Sequence, residues 1–292
     1  MRKVWGSIAM VGLAGLCLLT FLRVASAQPS GDTREVKQTI PVTADAWVSI
    51  ETFKGSITTE ASDRLEVNIL ARIEPAGLSA REREAVKQVE IKIRTSGNGV
   101  DILSDYEQVK NLNHRGDGDW KDDFEFPIVH YPLFIPRSAR LEIKDFKSEI
   151  KATGLENGIR VKSHKGPITL TDLKGEVRID AYKGNVRITG LDGSLDLNTH
   201  KSDVEIEFVR MTGRTRIESF KGDVQITLPE KDGFELDADV GGKGDFRSDF
   251  SITMPPSGGY RLHDYRLKGE TNGGGPLLSL RTQKGYYRLR KR

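Results

Sequence analysis

The chain has 292 residues, with 45 Lys plus Arg against 42 Asp plus Glu, and a single cysteine, Cys17. The positive excess comes from Arg2, Lys3 and Arg23, and without these three the chain carries 42 basic and 42 acidic residues. A neutral chain lacks the basic surplus that is typical of nucleic-acid-binding proteins. Because one cysteine forms neither an internal disulfide nor a cysteine metal site, a large hydrophobic core must stabilise the fold.

Residues 1–27 have the pattern of a secretory signal peptide. Two basic residues precede an apolar stretch at 7–22, and Ala25-Ser26-Ala27 fits the small-residue rule for signal peptidase. We expect cleavage between Ala27 and Gln28, which would leave an extracytoplasmic protein, periplasmic or secreted, without a stable membrane span. The apolar stretch also approaches the length of a transmembrane helix, so an uncleaved membrane anchor is the alternative.

Residues 28–37 are polar and predict a flexible leader. Residues 38–136 alternate between apolar and polar side chains, which predicts a region of strands. One helix is predicted within it, over 79–88, because Ser79 and Glu82 form a capping-box pattern. Residues 107–127 are polar and predict a surface loop. Its acidic side chains offer the hard oxygen ligands that calcium prefers, but their spacing differs from an EF-hand and leaves calcium binding open; they are Asp117, Asp119, Asp122, Asp123 and Glu125.

From Phe146 the chain repeats itself every nine residues. Units such as KGEVRIDAY and KGNVRITGL begin with two turn residues, carry aliphatic residues at the fourth and sixth positions, and end on a bulky residue. Alternate residues of a strand share a face, so the aliphatic pairs are expected to point into one core. A nine-residue unit is too narrow to bury such a pair alone, so the units are expected to stack about 4.8 Å apart as a β-solenoid.

The bulky ninth residue sets the length of a coil at two units, because Leu-type and ring-type residues alternate there. One column would hold Leu155, Leu173, Leu191 and Met211, and the other Phe146, His164, Tyr182, His200 and Phe220. We therefore predict an all-β fold: a parallel β-solenoid with about 18 residues per coil and a C-terminal cap over 137–292, preceded by the N-terminal strand region with one short helix. The unit that ends at Met211 has two extra residues, which predicts a widened corner. A meandering antiparallel sheet is the alternative, but it does not explain the alternation.

Each ring of the second column is followed by a lysine. The pairs are Phe146-Lys147, His164-Lys165, Tyr182-Lys183, His200-Lys201 and Phe220-Lys221, with Phe53-Lys54 as an outlying pair. Rings and ammonium groups at coil spacing could contact an extended anionic glycan or a lipid headgroup through stacking and charge. The other interpretation, which we favour, is that ring stacking at the corner stabilises the solenoid while the lysines keep its edge soluble and deter edge pairing.

Residue patterns for catalysis are weak in this chain. The five histidines lack the spacing of a metal site, and no cofactor motif is present. Asp180 and Asp196 fall on neighbouring coils but at different strand positions. We therefore expect a non-enzymatic extracytoplasmic module, adhesin-like or an envelope scaffold, whose partner is an envelope polysaccharide or another envelope protein. A carbohydrate-active enzyme on the same solenoid and a membrane-anchored envelope sensor are the alternatives.

Four stretches together resemble a family of proteins. They are WVSIETFKGSI, PLFIPRSARLEIKDFKSEIKATGL, FELDADVGGKGDFRSDF and GGGPLLSLRTQKGYYRLR, and they span about residues 38 to 290. In this order they resemble the bacterial secreted β-strand-repeat family that carries the name "putative adhesin", a domain of unknown function. The family usually has Asn or Ser before the turn glycine, where this chain has Lys. The resemblance implies a strand-repeat fold and no catalytic residues.

Overall fold

The computed structural model describes residues 32–113, 125–254 and 266–292. These residues form eighteen strands and two helices. In chain order the elements are β1 (Arg34–Pro41), β2 (Trp47–Ser62), β3 (Glu66–Glu74), α1 (Ala80–Gln88), β4 (Glu90–Ser96), β5 (Gly99–Asp105), α2 (Glu107–Asn113), β6 (Ile128–Pro136), β7 (Arg140–Thr153), β8 (Ile159–Lys165), β9 (Ile168–Thr171), β10 (Lys174–Lys183), β11 (Val186–Lys201), β12 (Val204–Met211), β13 (Thr215–Lys221), β14 (Val224–Leu228), β15 (Phe234–Asp239), β16 (Lys243–Ser248), β17 (Arg266–Thr271) and β18 (Leu277–Lys291).

The strands wind into a parallel β-solenoid with two faces. Face A includes β8, β10 and β13, and face B includes β9, β12 and β14. Within the described residues, nine layers stack in parallel on both faces. From one end to the other they are β5 with β6, β2, β7, β8 with β9, β10 with the start of β11, the rest of β11 with β12, β13 with β14, β18, and β15 with β16. The parallel pairing confirms the predicted solenoid over the alternative meander.

The predicted coil of 18 residues is present in the central layers. On face A, Leu141 pairs with Ile159, Ile159 with Val177, and Val177 with Leu195, each step being 18 residues. Their side chains are at most 4% exposed. The apolar pairs of successive coils therefore form one continuous core, in which each fully buried Val, Leu or Ile contributes about 1.5–3 kcal/mol of transfer free energy.

The widened coil also lies where the two extra residues predict it. Asp196 pairs with Arg216, a step of 20 residues. The extra residues shift the register, so that Phe208 rather than Met211 lies opposite Leu191. Phe208 is fully buried and completes the leucine column in place of the predicted Met211, which aligns with Gly193 instead.

The order of the layers differs from the order of the chain at both ends. β2 pairs with β7 on both faces, from Trp47 opposite Arg140 to Glu60 opposite Thr153. Residues 38–136, predicted as a separate strand region, thus supply two layers of the same solenoid, and the expected boundary at residue 137 does not follow the layers. At the other end β18 lies between β13–β14 and β15–β16, so the last strand of the chain fills an internal layer.

Both ends of the stack carry antiparallel strands, and two helices pack near the first end. β4 pairs with β5 and β3 with β6, while β17 pairs with β15. Helix α1 has the predicted capping box, since Ser79 and Glu82 bond reciprocally. The predicted loop 107–127 is wrong for residues 107–113, which form α2. Asp105 accepts a hydrogen bond from the Glu107 amide at 2.9 Å, and Val109 is fully buried, so local capping and one apolar contact outweigh the polar composition.

In the described ranges, neither helix has the length and hydrophobicity needed to span a bilayer. The predicted cleavage site, Ala27 and Gln28, lies outside the described residues, and so does Cys17. The signal peptide therefore stays a prediction.

Candidate functional site

The lysines predicted beside the rings form one row at the corner where each coil passes from face A to face B. Each lysine pairs in register with the lysine of the next layer, and the row has eight members, hereafter the lysine ridge: Lys54, Lys147, Lys165, Lys183, Lys201, Lys221, Lys284 and Lys243. Adjacent strands lie about 4.8 Å apart, so the ridge is roughly 34 Å long. All of its members except Lys54 are exposed.

Counter-charges are scarce along the ridge. Among the described residues, only Lys54 of the eight forms an ion pair, with Glu125. That contact holds the pKa of the Glu125 carboxyl below its ordinary value, chiefly through the hydrogen bond from Lys54. Elsewhere in the solenoid lysines do pair, as Lys151 does with Glu149 at 2.7 Å. Because like charges directly opposite on neighbouring strands repel, we expect the ridge to lower the stability of the fold slightly.

Glycine after the lysine permits the tight corner. Gly166 and Gly184 have φ of 127° and 134°, which side chains rarely adopt. A Cβ on Gly184 would lie 2.0 Å from the carbonyl oxygen of Gly166 in the layer below. The corner backbones thus approach closely enough to keep the lysines in register, and serines replace glycine at positions 148 and 202.

The rings before the lysines form a continuous stack. Its six members, hereafter the ring stack, are Phe53, Phe146, His164, Tyr182, His200 and Phe220. Successive ring centroids are 4.6–5.0 Å apart, and successive planes deviate from parallel by 15° at most. Phe53 ends the stack against Tyr106 and Phe126, which meet it edge-on. At the other end, the Lys284 ammonium lies 5.9 Å from the Phe220 centroid.

This geometry changes how the rings could serve a ligand. Inside the stack each ring is covered on both faces by its neighbours, so a ligand cannot stack on Phe146 or Tyr182, as the sequence-based interpretation proposed. Their edges remain open, since the two residues are 40% and 43% exposed. The ring stack therefore exposes the edges of its rings rather than their faces.

A column of mostly polar and mostly buried side chains lines the inside of the same corner. It runs through Thr52, Asp145, Ser163, Ala181, Thr199, Ser219 and Thr282 in register. Asp145 accepts hydrogen bonds from the Ser148 amide at 2.8 Å and the Ser163 hydroxyl at 3.2 Å, while its other carboxylate oxygen has no partner among the described residues. Burial raises the pKa of the Asp145 carboxyl, and these hydrogen bonds partly oppose the shift. Apart from Asp145, which is half-buried, the members of the column are shielded from solvent.

The rows on either side of the ridge carry acidic as well as basic residues. On the face B side, two residues beyond the lysines, four layers carry an exposed carboxylate: Glu149, Asp203, Asp223 and Asp245. Two of them turn into the corner, where Asp203 accepts from the Asp223 amide at 3.1 Å and Asp223 from the Tyr286 amide at 3.2 Å. On the face A side the neighbouring column is of mixed charge: Lys144, Lys162, Asp180, Asn198, Glu218 and Arg281.

The remaining candidates from the sequence do not assemble into a reactive site in the described part of the chain. Ser163 points inward to Asp145, whereas His164 belongs to the ring stack. Asp196 pairs with Arg178 rather than with Asp180. No group of three His, Cys, Asp or Glu within residues 32–113, 125–254 and 266–292 could hold a metal ion. The predicted acidic loop, apart from Glu125, lies outside the described residues.

Sequence reasoning missed two members of the ridge, Lys243 and Lys284. Each lies in a Lys-Gly turn that is visible in the sequence. Their place in the row depends on the insertion of β18 before β15–β16, which no local pattern indicates. Lys54 was treated as outlying for the same reason, because 93 residues separate it from its partner Lys147.

Comparison with known proteins finds one family model that matches part of the chain. Residues 137–269 match the model of a family described as Toastrack DUF4097. No curated protein matches the chain.

Three solved structures are similar over most of their length. A "putative cell adhesion protein" from Clostridium sporogenes is 11% identical, with a TM-score of 0.35, covering 89% of this chain and 100% of its own. A "putative adhesin" from Bacteroides fragilis is 14% identical, with a TM-score of 0.39, covering 90% and 99%. A "putative lipid binding protein" from Parabacteroides distasonis is 10% identical, with a TM-score of 0.31, covering 89% and 97%.

Proposed function

We propose that the protein is a non-enzymatic, extracytoplasmic binding module of the cell envelope whose lysine ridge binds an extended polyanion. The match of residues 137–269 to the Toastrack DUF4097 model is consistent with this proposal. The observation that carries the proposal is the register of the eight lysines. Members that lie far apart in the chain, such as Lys54, Lys243 and Lys284, still align with the central repeat. Solubility alone would be served by charges at irregular positions.

Location outside the cytoplasm is the second part of the proposal. It rests on the predicted signal peptide and on the near-absence of cysteine, which suits a protein stabilised by its core. N-terminal sequencing of the protein purified from its native cells should give Gln28 as the first residue. An N-terminus at Met1 in a membrane fraction would instead support the anchored sensor.

Polyanion binding is tested with a charge-matched pair of triple variants. The ridge variant carries Lys165→Gln, Lys183→Gln and Lys201→Gln. The control variant carries Lys87→Gln, Lys151→Gln and Lys174→Gln, which removes the same charge from lysines that pair with carboxylates at 2.7–2.8 Å. The probes are polygalacturonate, inorganic polyphosphate, single-stranded poly(dT) and phosphatidylglycerol vesicles, with neutral dextran as a blank.

The ridge variant should bind at least one polyanion about tenfold more weakly than the unmodified protein, with a shallower dependence of log Kd on log salt concentration. The control variant should stay within about threefold. If no polyanion binds, or if the two triple variants lose affinity equally, the ridge is not a binding surface and the proposal fails.

A further inference from the structure

The geometry points to a narrower ligand class: we propose that the lysine ridge takes a single chain of an acidic pyranose polysaccharide, laid along the solenoid axis with its sugar residues in step with the layers. This inference rests on the proposed polyanion binding and adds the chemistry of the ligand. Three observations on the ridge and its surroundings separate a glycan from other polyanions.

Ring geometry argues against single-stranded nucleic acid. Proteins that bind such strands offer open aromatic faces on which bases stack. Here the faces of His164, Tyr182 and His200 are covered by neighbouring rings at 4.8, 4.9 and 4.6 Å. What remains open is a line of ring edges, and at Phe146 the Lys165 ammonium group lies 5.9 Å from the ring centroid. A pyranose residue fits such a line, because it presents C–H groups to apolar edges and hydroxyl and carboxylate oxygens to lysine.

The width of the charged row argues against a lipid surface. A membrane presents anionic groups over a plane, so a protein that docks there needs a broad basic patch. The lysine ridge is one residue wide, and its face B flank carries exposed carboxylates at Glu149, Asp203, Asp223 and Asp245. Glu149 and Asp245 pair with Lys151 and Arg247, and Asp203 and Asp223 accept backbone amides, so this flank does not extend the row of lysines into a broad basic patch. A single linear chain needs one basic row only.

Spacing supplies the third observation. The lysines recur once per layer, about 4.8 Å apart along the axis. The length of one 1,4-linked pyranose residue in an extended chain is close to this spacing, so a polyuronate can offer charge at the rate at which the ridge offers ammonium groups. The uniform use of lysine fits as well, since its flexible stem lets each ammonium group follow the changing orientation of successive carboxylates.

A length series tests the register. Oligogalacturonides of increasing length are titrated against the unmodified protein, the ridge variant and the charge-matched control described above. Affinity should rise with each added residue until the oligomer spans the ridge, at about eight residues, and should then level off. In the ridge variant, oligomers that reach across the three changed layers should gain little from added length, whereas the control variant should follow the unmodified curve.

Competition decides the class of polyanion. At equal charge concentration, polygalacturonate should displace a labelled oligogalacturonide at least about tenfold better than polyphosphate, poly(dT) or phosphatidylglycerol vesicles. If one of the other polyanions competes as well or better and is lost in the ridge variant, polyanion binding stands and the glycan assignment is overturned. If affinity keeps rising far beyond the length of the ridge, the proposed register is overturned. Loss of all binding overturns both proposals.

Tyr182→Leu gives a second readout that does not depend on charge. Leucine keeps an apolar side chain in the layer but removes the ring edge between His164 and His200. Affinity for the oligogalacturonide should fall about threefold to tenfold, while the salt dependence stays unchanged. Equal affinity in the variant would mean that the ligand contacts lysine alone and would remove the edge contact that favours sugars.

Discussion

The solenoid has two corners built on the same 18-residue repeat. Buried aliphatic side chains form one corner, and partly exposed rings with lysines form the other. At the leucine corner, Leu155, Leu173 and Leu191 are fully buried. At the ring corner, Phe146 and Tyr182 are 40% and 43% exposed and stand beside a row of exposed lysines. One corner removes apolar surface from water, whereas the other keeps apolar edges and like charges in it. The difference in burial predicts that the leucine corner contributes more to stability than the ring corner.

The largest effect is expected from a cavity at the leucine corner. Leu173→Ala removes a fully buried side chain whose neighbours are fixed by the layers on each side. The free energy of unfolding should fall by about 2–5 kcal/mol, measured by urea denaturation. Tyr182→Ala, at the ring corner of the next half-coil, should cost less than half as much because its side chain is partly solvated. Equal losses would mean that both corners carry the fold and would remove the contrast.

Substitution of a glycine in the corner turns is expected to have the second-largest effect on stability. In Gly184→Ala the new Cβ would lie 2.0 Å from a backbone oxygen, at a φ of 134°. The backbone must shift, and a loss of about 2–3 kcal/mol is expected in the same denaturation experiment. Gly97→Ala is the control, because it has a φ of 54° but meets nothing within 4 Å. It should cost only about 1 kcal/mol. If the two substitutions cost the same, strain rather than close approach of the layers sets the requirement for glycine.

Asp145 allows a test of the inner side of the ring corner by pH. Burial raises the pKa of its carboxyl in the folded state, so the folded protein holds this proton more tightly than the unfolded chain does. The cost of burying the charge is therefore present above the folded pKa and absent below the unfolded value near 3.8. Asp145→Asn should raise stability modestly at pH 7, and the gain should shrink as the pH falls through the folded pKa.

Asp237 is the matched control with the opposite sign. The hydrogen bonds from Arg266, at 2.7 and 2.6 Å, lower the pKa of the Asp237 carboxyl. That carboxylate stabilises the fold above its unfolded pKa and loses this contribution as the pH falls, so Asp237→Asn should lower stability at pH 7. Thermal unfolding of both variants between pH 3 and pH 8 would separate the two behaviours. A gain for Asp145→Asn that stays constant over this range would reject the buried charge as its cause.

Local pattern predicted the central coils well because the information is local there. Leu173, Tyr182 and Leu191 recur at nine-residue steps, and the turn glycines between them leave few other ways to bury the aliphatic pairs. The pattern carried no information on the end layers. β2 joins β7 across a long separation, and β18 enters between strands that precede it in the chain, so their positions are fixed by tertiary pairing alone. The stacking of the rings at the corner, by contrast, was predicted from the repeat, and the structure shows it.

The candidate site likewise has one part that the local repeat predicts and another that depends on tertiary pairing. The identities of five ring–lysine pairs could be read from the repeat, whereas the continuity of the lysine ridge through Lys54, Lys284 and Lys243 depended on the layer order. The acidic flank was invisible to the sequence for another reason. Asp203 and Asp223 look like ordinary turn residues, and only the register shows that they border the ridge in successive layers.

The smallest expected effect bears most directly on why the two corners differ. If the lysines repel one another in the unliganded protein, removing one should stabilise it. Lys183→Gln, in the middle of the ridge, should raise Tm by about 1 °C at low ionic strength, and the gain should vanish at high salt, where the Debye length is about 3 Å. Lys151→Gln is the control, because this lysine pairs with Glu149 at 2.7 Å and should show no gain under either condition. A loss of stability in Lys183→Gln would mean that the lysines serve the corner itself, through contacts such as that of Lys165 with the Phe146 ring at 5.9 Å. A higher Tm in Lys183→Gln would mean that the lysine ridge lowers the stability of the unliganded protein, as expected of a surface whose role is binding.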